Sequence, residues 1–271
     1  MRRCLAVVLA GGCVLTSAGR AAAPAPTPPR VLTPGAVAAG GRLAVRAEGV
    51  ALPARIQARG RSGTWRTLGQ QRRSGTPAQV RVPRAPQVLH VRARGADGTL
   101  TPARRVRVRF LRLSAVGDVN LGDGPGYDID RYGPRYPWSR VGRRLRAADI
   151  AFANLECAVS RRGRAVPKTF TFRGRPASLW AAANRGGLDV VNLANNHAGD
   201  FGDGALLDTL RSAHHDGIAT VGAGVDAARA YRPVIVTRLG LRVAFVGYSV
   251  IEPFDFRAGR HEPGTAWGFV R

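Results

Sequence analysis

Residues 191–210, VNLANNHAGDFGDGALLDTL, start as an apolar strand and finish as an amphipathic helix. Between the two lie Asn195, Asn196, His197 and Asp200, more polar chemistry than a chain reversal requires. Leu206, Leu210 and Ala213 recur at helical spacing, Gly217 is a natural stop, and Asp203 is expected as the helix N-cap. An apolar strand running straight into such a helix is half of a βα unit. The fold is decided by whether the neighbouring segments repeat it.

They do. LRLSAVGD (111–118) reads as a strand with an apolar core-facing end, and WSRVGRRLRAAD (138–149) follows with Trp138, Val141, Leu145 and Ala148 at helical spacing. IAFANLE (150–156) is a second strand, and PASLWAAANRGG (176–187) opens on proline and closes on glycines as a helix does. LDVVNLANNH is the third strand. IATVGAG, PVIVTRLG and LRVAFVGYS supply further strands, the last two as a hairpin around Gly240. Alternating strands and helices predict an α/β layered domain with largely parallel pairing in its first half.

In sheets of this kind the ligand crevice lies beyond the C-terminal strand ends. The first strand ends in Asp118 and Asn120, the second in Asn154 and Glu156, the third in Asn192 and the Asn195–Asp200 turn. Asp118, Glu156, Asn196 and His197 are therefore expected to converge. Two carboxylates and an amide oxygen suit a divalent cation, and a neighbouring imidazole can bind metal or deliver a proton. Asp200 has three readings: a cap, a turn former, or the partner of His197 in a catalytic pair. His214 and His215 fit a helix C-terminus, and His90 and His261 are left unassigned.

Ahead of this domain the pattern is different. Residues 1–23 read as a signal peptide or membrane anchor: MRR, an apolar run too short for the ~20 residues of a spanning helix, and a small-residue exit. Cleavage near Ala23, lipid attachment at Cys13 and retention as an anchor are all open, and each makes the protein an exported one of the cell envelope. Cys4, Cys13 and Cys157 do not make a disulfide framework, and Cys157 is expected to be a small buried residue. Residues 24–34 read as an extended, mobile proline-rich linker. Residues 35–110 hold short alternating strands between Gly-, Ser- and Pro-rich breaks, the pattern of a small all-β, Ig-like sandwich, with Val106, Val108 and Phe110 directed inward. By itself this module reads as a spacer or wall-contact domain.

The net charge is +25, and it is uneven. Residues 1–117 carry 21 arginines and two acids, whereas residues 118–271 carry 21 basic residues and 15 acids. Lys168 is the one lysine among 42 basic residues, a bias that a GC-rich genome produces and phosphate binding does not demand. No RNA-recognition signature or zinc-finger spacing occurs, so nucleic acid is not an expected partner. The cationic front half suits a polyanion.

SAVGDVNLG, ADIAFANLECAVS, KTFTFRG, GGLDVVNLANNHAGDFGDGALLDTL, GIATVGAG, YRPVIV and GLRVAFVGYS, in unbroken order over 111–271, resemble the bacterial CapA-type capsule synthesis proteins of poly-γ-glutamate. The resemblance implies a relative of the calcineurin-like metallophosphatase fold, with a dinuclear metal site at sheet ends. By position it implies Asp118 as the first metal ligand, Glu156 as the bridging carboxylate, Asn196 as the amide ligand and His197 as the group that stabilises or protonates the leaving group. Asn120 stands where metallophosphatases have the histidine of Asp-x-His. Their later His-x-Gly-x-Glu and Gly-x-His-x-His segments do not occur, so the domain is expected to be partial. The cofactor implied is one or more divalent ions, with Mn, Mg, Zn and Fe all open. The partners implied are an anionic envelope polymer or capsule precursor and membrane-bound synthase subunits. Three functions follow as expectations: metal-dependent hydrolysis or transfer in capsule biosynthesis, a non-catalytic polyanion-binding scaffold, and a nucleotide phosphoesterase.

Overall fold

The computed structural model describes residues 27–251 and 253–268. The leader, Cys13 and the first residues of the proline-rich segment lie outside the described residues. Among the described residues no helix is long and apolar enough to cross a membrane.

The first eight strands are β1 (Arg30–Leu32), β2 (Ala36–Ala38), β3 (Arg42–Glu48), β4 (Ala54–Arg59), β5 (Arg66–Gln71), β6 (Ala78–Arg81), β7 (Gln87–Arg94) and β8 (Arg104–Arg109). They form a three-stranded sheet, β1-β3-β6, and a five-stranded sheet, β2-β8-β7-β4-β5. Alternation decides the layering: Leu43, Val45, Ile56, Val80, Val91, Val106 and Val108 from both sheets bury in one shared core, while the residues between them face out. Two details depart from expectation. Residues 30–32, read as linker, form β1, because Val31 buries while Arg30 pairs across to Glu48. Phe110, expected inside, lies one residue past β8 and is 66% exposed.

A second body follows: β9 (Leu113–Val119), α1 (Asp123–Tyr132), α2 (Trp138–Arg146), β10 (Ile150–Leu155), β11 (Ala158–Val159), β12 (Arg173–Gly174), α3 (Pro176–Ala181), β13 (Val190–Asn192), α4 (Asp203–His215), β14 (Ala219–Val221), β15 (Ala223–Gly224), α5 (Ala227–Ala230), β16 (Val234–Arg238), β17 (Leu241–Phe245) and β18 (Gly264–Thr265). Its centre is a wholly parallel four-stranded sheet, β14-β13-β10-β9, so the body is mixed α/β.

Strand β10 shows how the layers are built. Ala151, Ala153 and Leu155 pack with Trp138, Leu145, Leu179, Leu206 and Ala213 of the helices. Ile150 and Phe152 point the other way, onto Val234, Val236, Val243 and Phe245 of the β16–β17 hairpin. A strand covered on both faces reads as a continuous apolar run, which is why IAFANL does not alternate in polarity.

Several local readings change. Helix α1 has no counterpart in the pattern analysis, since DGPGYDIDRY carries two glycines and a proline that argue against a helix. Val141 is 48% exposed; the buried face of α2 is Trp138, Gly142 and Leu145. The helix opening at Pro176 relaxes into a π-helical turn over Ala182–Gly186. Gly202, not Asp203, is the N-cap of α4, and Asp203 lies in the first turn, where its charge suits the helix dipole. The hairpin turns at Gly240 with φ 75°, as expected of glycine there.

Candidate functional site

Parallel pairing of β9, β10 and β13 sets Asp118 beside Asn154 and Asn154 beside Asn192 in the register. Three strand ends thus meet in one row. Asn154 is at its centre, and its amide orientation is set from both sides. Its oxygen accepts from Asn192 Nδ2 at 2.8 Å and from Asn195 Nδ2 at 3.1 Å. Its NH2 group must therefore face outward, where it donates to Asp118 Oδ1 at 2.8 Å and also to Glu156 Oε2. One amide nitrogen holds two carboxylates together. The Glu156 carboxyl is pushed above its ordinary range, first by burial and then by repulsion from Asp118, with His197, Asn154 and Lys168 pulling it back.

The third strand end adds the imidazole. Asn195 Oδ1 accepts from the His197 backbone N–H at 3.0 Å, which fixes the turn, and Asn195 is itself buried. His197 Nδ1 donates to Asp200 Oδ2 at 2.7 Å, and the ring stacks on Phe172 with centroids 4.1 Å apart. Its Nε2 is left facing Glu156 Oε1 at 4.0 Å. Asp200 is fully buried. It accepts from His197, from the Phe172 backbone N–H at 2.7 Å and from Lys168 Nζ at 2.6 Å, so it acts on the site by holding His197 and Lys168.

Lys168 is a member of this cluster to which motif reading gave no role. Its ammonium donates to Asp200 and to the Asn196 carbonyl and lies 3.3 Å from His197 Nδ1. The signal was present in the composition: one lysine survives where every other cation is arginine. A compact ammonium with three donors reaches this crowded junction, and a planar guanidinium fork does not match it. Lys168, Asn196 and His197 also line a cavity of about 380 Å³ with Thr169, Phe170 and Pro253.

The structure separates the remaining expected residues. Asn196 lines that cavity, and among the described residues its side-chain amide has no hydrogen-bond partner. Asn120 faces its own chain: Oδ1 accepts from the Gly122 N–H at 2.8 Å, shaping the entry to α1. Cys157 is buried and unpaired, and desolvation pushes its thiol up to about 12, so it remains an inert thiol.

Among the described residues no group of three or more His, Cys, Asp or Glu side chains is drawn together as a metal centre. A dinuclear site does not fit these residues. Asp118 and Glu156, mutually repelling carboxylates gathered on one donor, have the chemistry that suits a single hard cation.

The sequence profile of a family described as "Bacterial capsule synthesis protein PGA_cap" matches residues 112–268. A "Probable polyglutamine synthesis accessory protein" of Mycobacterium tuberculosis is 34% identical over 183 residues, covering 64% of this chain and 47% of the relative. A "Capsule biosynthesis protein CapA" of Bacillus anthracis is 25% identical over 170 residues, covering 61% of this chain and 41% of the relative. A "PGA biosynthesis protein CapA" of Bacillus subtilis is 26% identical over 158 residues, covering 57% and 41%. The chain spans less than half the length of these relatives.

Proposed function

This chain belongs to the family of bacterial capsule synthesis proteins described as PGA_cap, and we propose that it serves as an exported cell-envelope protein in the biosynthesis of a poly-γ-glutamate-type polymer. Its α/β body offers the strand-end site for metal-dependent hydrolysis or transfer on that polymer or its precursor. The observation that carries this reading is the Asn154 amide gathering Asp118 and Glu156 opposite His197.

Asp118, Glu156 and Asn196 would hold one divalent ion, with Mn, Mg, Zn and Fe as the metals to test. Such an ion polarises a phosphoryl or carbonyl oxygen and lowers the pKa of bound water. The chain's own residues supply the rest. Asn192 and Asn195 fix Asn154, which keeps the two carboxylates facing the crevice. Asp200 holds the proton on His197 Nδ1, so a neutral ring presents an acceptor at Nε2 and a protonated ring presents a donor there. Lys168 places a positive charge at the cavity wall, suited to an anionic substrate group. The envelope polymer, a membrane-bound synthase and anchoring through the N-terminus belong to the same reading.

One observation favours a second reading. The lack of a three-ligand centre among the described residues suits a polyanion-binding scaffold without catalysis. The nucleotide phosphoesterase reading has no such support.

The test is thermal denaturation with and without Mn²⁺, for the wild type and for a variant carrying both Asp118→Asn and Glu156→Gln. Mn²⁺ is expected to raise the wild-type midpoint and to leave the variant unmoved. An equal rise in both, or none in either, sinks the metal site. Polymer yield in a deletion strain, restored by the wild type and not by His197→Ala, tests the pathway.

A further inference from the structure

The outward face of the five-stranded sheet carries a charge arrangement that stability alone does not select. Arg55 lies directly opposite Arg94, and Arg59 and Arg105 flank His90 across the same sheet. Arg107 and Arg92 extend the array. Like charges facing each other across strands are destabilising. Residues 27–110 hold 17 arginines against two carboxylates, Glu48 and Asp97. Neither carboxylate relieves this face: Glu48 pairs with Arg30 and Arg46 on the other sheet, and Asp97 folds onto Thr99 in a turn. Among the described residues Arg55, Arg59, Arg92, Arg94, Arg105 and Arg107 form no ion pair.

Part of the array is already ordered. Arg92 and Arg59 lie over the Trp65 ring, 3.9 and 5.0 Å from its centroid, and Arg92 Nε donates to Gln57 Oε1 at 3.0 Å. Stacked guanidiniums lose less freedom when a ligand arrives. A shallow cavity of about 560 Å³ opens on the same side, lined in part by Arg61, Val88, His90 and Arg107.

We propose that this sheet face is a docking surface for a linear polycarboxylate, which its unpaired guanidiniums engage as forked donors. Arginine matches the planar carboxylate two bonds at a time, and rows of strands repeat that fork along an extended chain. The face suits a membrane poorly, since β4, β5, β7 and β8 carry no exposed large hydrophobic side chain to enter acyl chains. It suits nucleic acid poorly too, because the guanidiniums occupy the Trp65 ring that bases would stack on. The choice of carboxylate rests on the proposed function; the surface itself does not depend on the strand-end site.

The experiment titrates the purified full chain with end-labelled poly-γ-glutamate by fluorescence anisotropy at two salt concentrations. A face variant changes Arg55, Arg94, Arg105 and Arg107 to Gln. A control variant of equal charge changes Arg42, Arg72, Arg73 and Arg81 to Gln. The face variant is expected to bind about tenfold or more weakly, with a shallower salt dependence, and the control to lose about threefold or less. The face variant should melt no lower than wild type, since it removes like-charge repulsion. Equal losses in the two variants overturn the proposal by reducing it to net charge. Tighter wild-type binding to single-stranded DNA or to phosphatidylglycerol vesicles overturns the choice of partner. Wild-type binding should be the same in EDTA as with Mn²⁺, so failure of the metal site and failure of this face can be told apart.

Discussion

The two bodies of this chain treat charge in opposite ways. In the β-sandwich the buried side chains are aliphatic apart from Gln71 and Thr101, and, Arg30, Arg46 and Arg109 excepted, the arginines stand outside without carboxylates to meet them. In the α/β body charge is brought inside: Asp200 is fully buried and Lys168 beside it is only 17% exposed. The first arrangement leaves electrostatic attraction for a visitor. The second spends it internally, on the geometry of one imidazole. The sandwich should therefore tolerate loss of its charges, and the strand-end site should not.

Asp200→Ala is the severest test of that contrast. It removes the acceptor of His197 Nδ1, Lys168 Nζ and the Phe172 N–H at once and leaves an ammonium without its counter-ion. Breaking a buried pair in this way costs about 3–5 kcal/mol. Urea denaturation should show a loss of that size. A loss under about 1 kcal/mol, the usual range for exposed pairs, would mean that solvent already reaches the pair and that the two bodies do not differ as described.

Lys168→Arg asks a finer question, because charge is kept and only shape changes. If the compact ammonium is what the junction requires, the guanidinium cannot serve Asp200 and the Asn196 carbonyl together. One buried acceptor is left unpaired, for about 1–3 kcal/mol. Arginine fills the other 41 basic positions of this chain. Stability unchanged from wild type would make Lys168 an accident of composition.

Much of the architecture could be read from the sequence because apolar periodicity is local. The six strands expected within 35–110 are β3 to β8, and β9, β10, β13 and α4 fall where strand and helix patterns place them. The capsule-synthesis resemblance agrees with the family assignment over 112–268. What was not legible depends on contacts distant in sequence. Helix α1 forms despite poor propensity; Leu121 just before it and its own Ile129 lie in the main core. Strand β1 needed a partner eighteen residues away. Within the candidate site, the strand-end rule named residues that the structure brings together, but the position of each side chain followed from hydrogen bonds that no spacing encodes. Asn154 stands in the sequence as a strand-end residue without a role, yet it is the residue that the two carboxylates share. Asn120, another strand-end residue, accepts the Gly122 N–H at its Oδ1.

The smallest effect lies at the joint between the bodies. Arg109, the last residue of β8, donates from both terminal nitrogens to Asp149, just before β10, at 2.7 and 2.5 Å. The Arg112 N–H adds a further bond to the same carboxylate at 2.8 Å. Arg109 holds the Asp149 carboxyl below its ordinary value of 3.8, against the opposing pull of burial. A carboxylate whose pKa is lower in the folded chain stabilises the fold above its unfolded value. That contribution fades as pH falls through the folded value. Wild-type protein should therefore lose stability more steeply than Asp149→Asn as the pH is taken below about 4, and the two denaturation midpoints should converge at the acid end. At neutral pH the substitution should cost about 1 kcal/mol, in keeping with a partly exposed bidentate pair. The sandwich core owes nothing to this pair, so the loss should appear as loosening between bodies: faster amide exchange at Arg112 and Ile150, whose N–H groups face this joint, with β4 and β7 unchanged. Equal protection at all of these sites would show that the joint is held by something other than charge. The β-backbone contacts from Ala38 and Arg42 to the Leu239–Gly240 turn are then what would carry it.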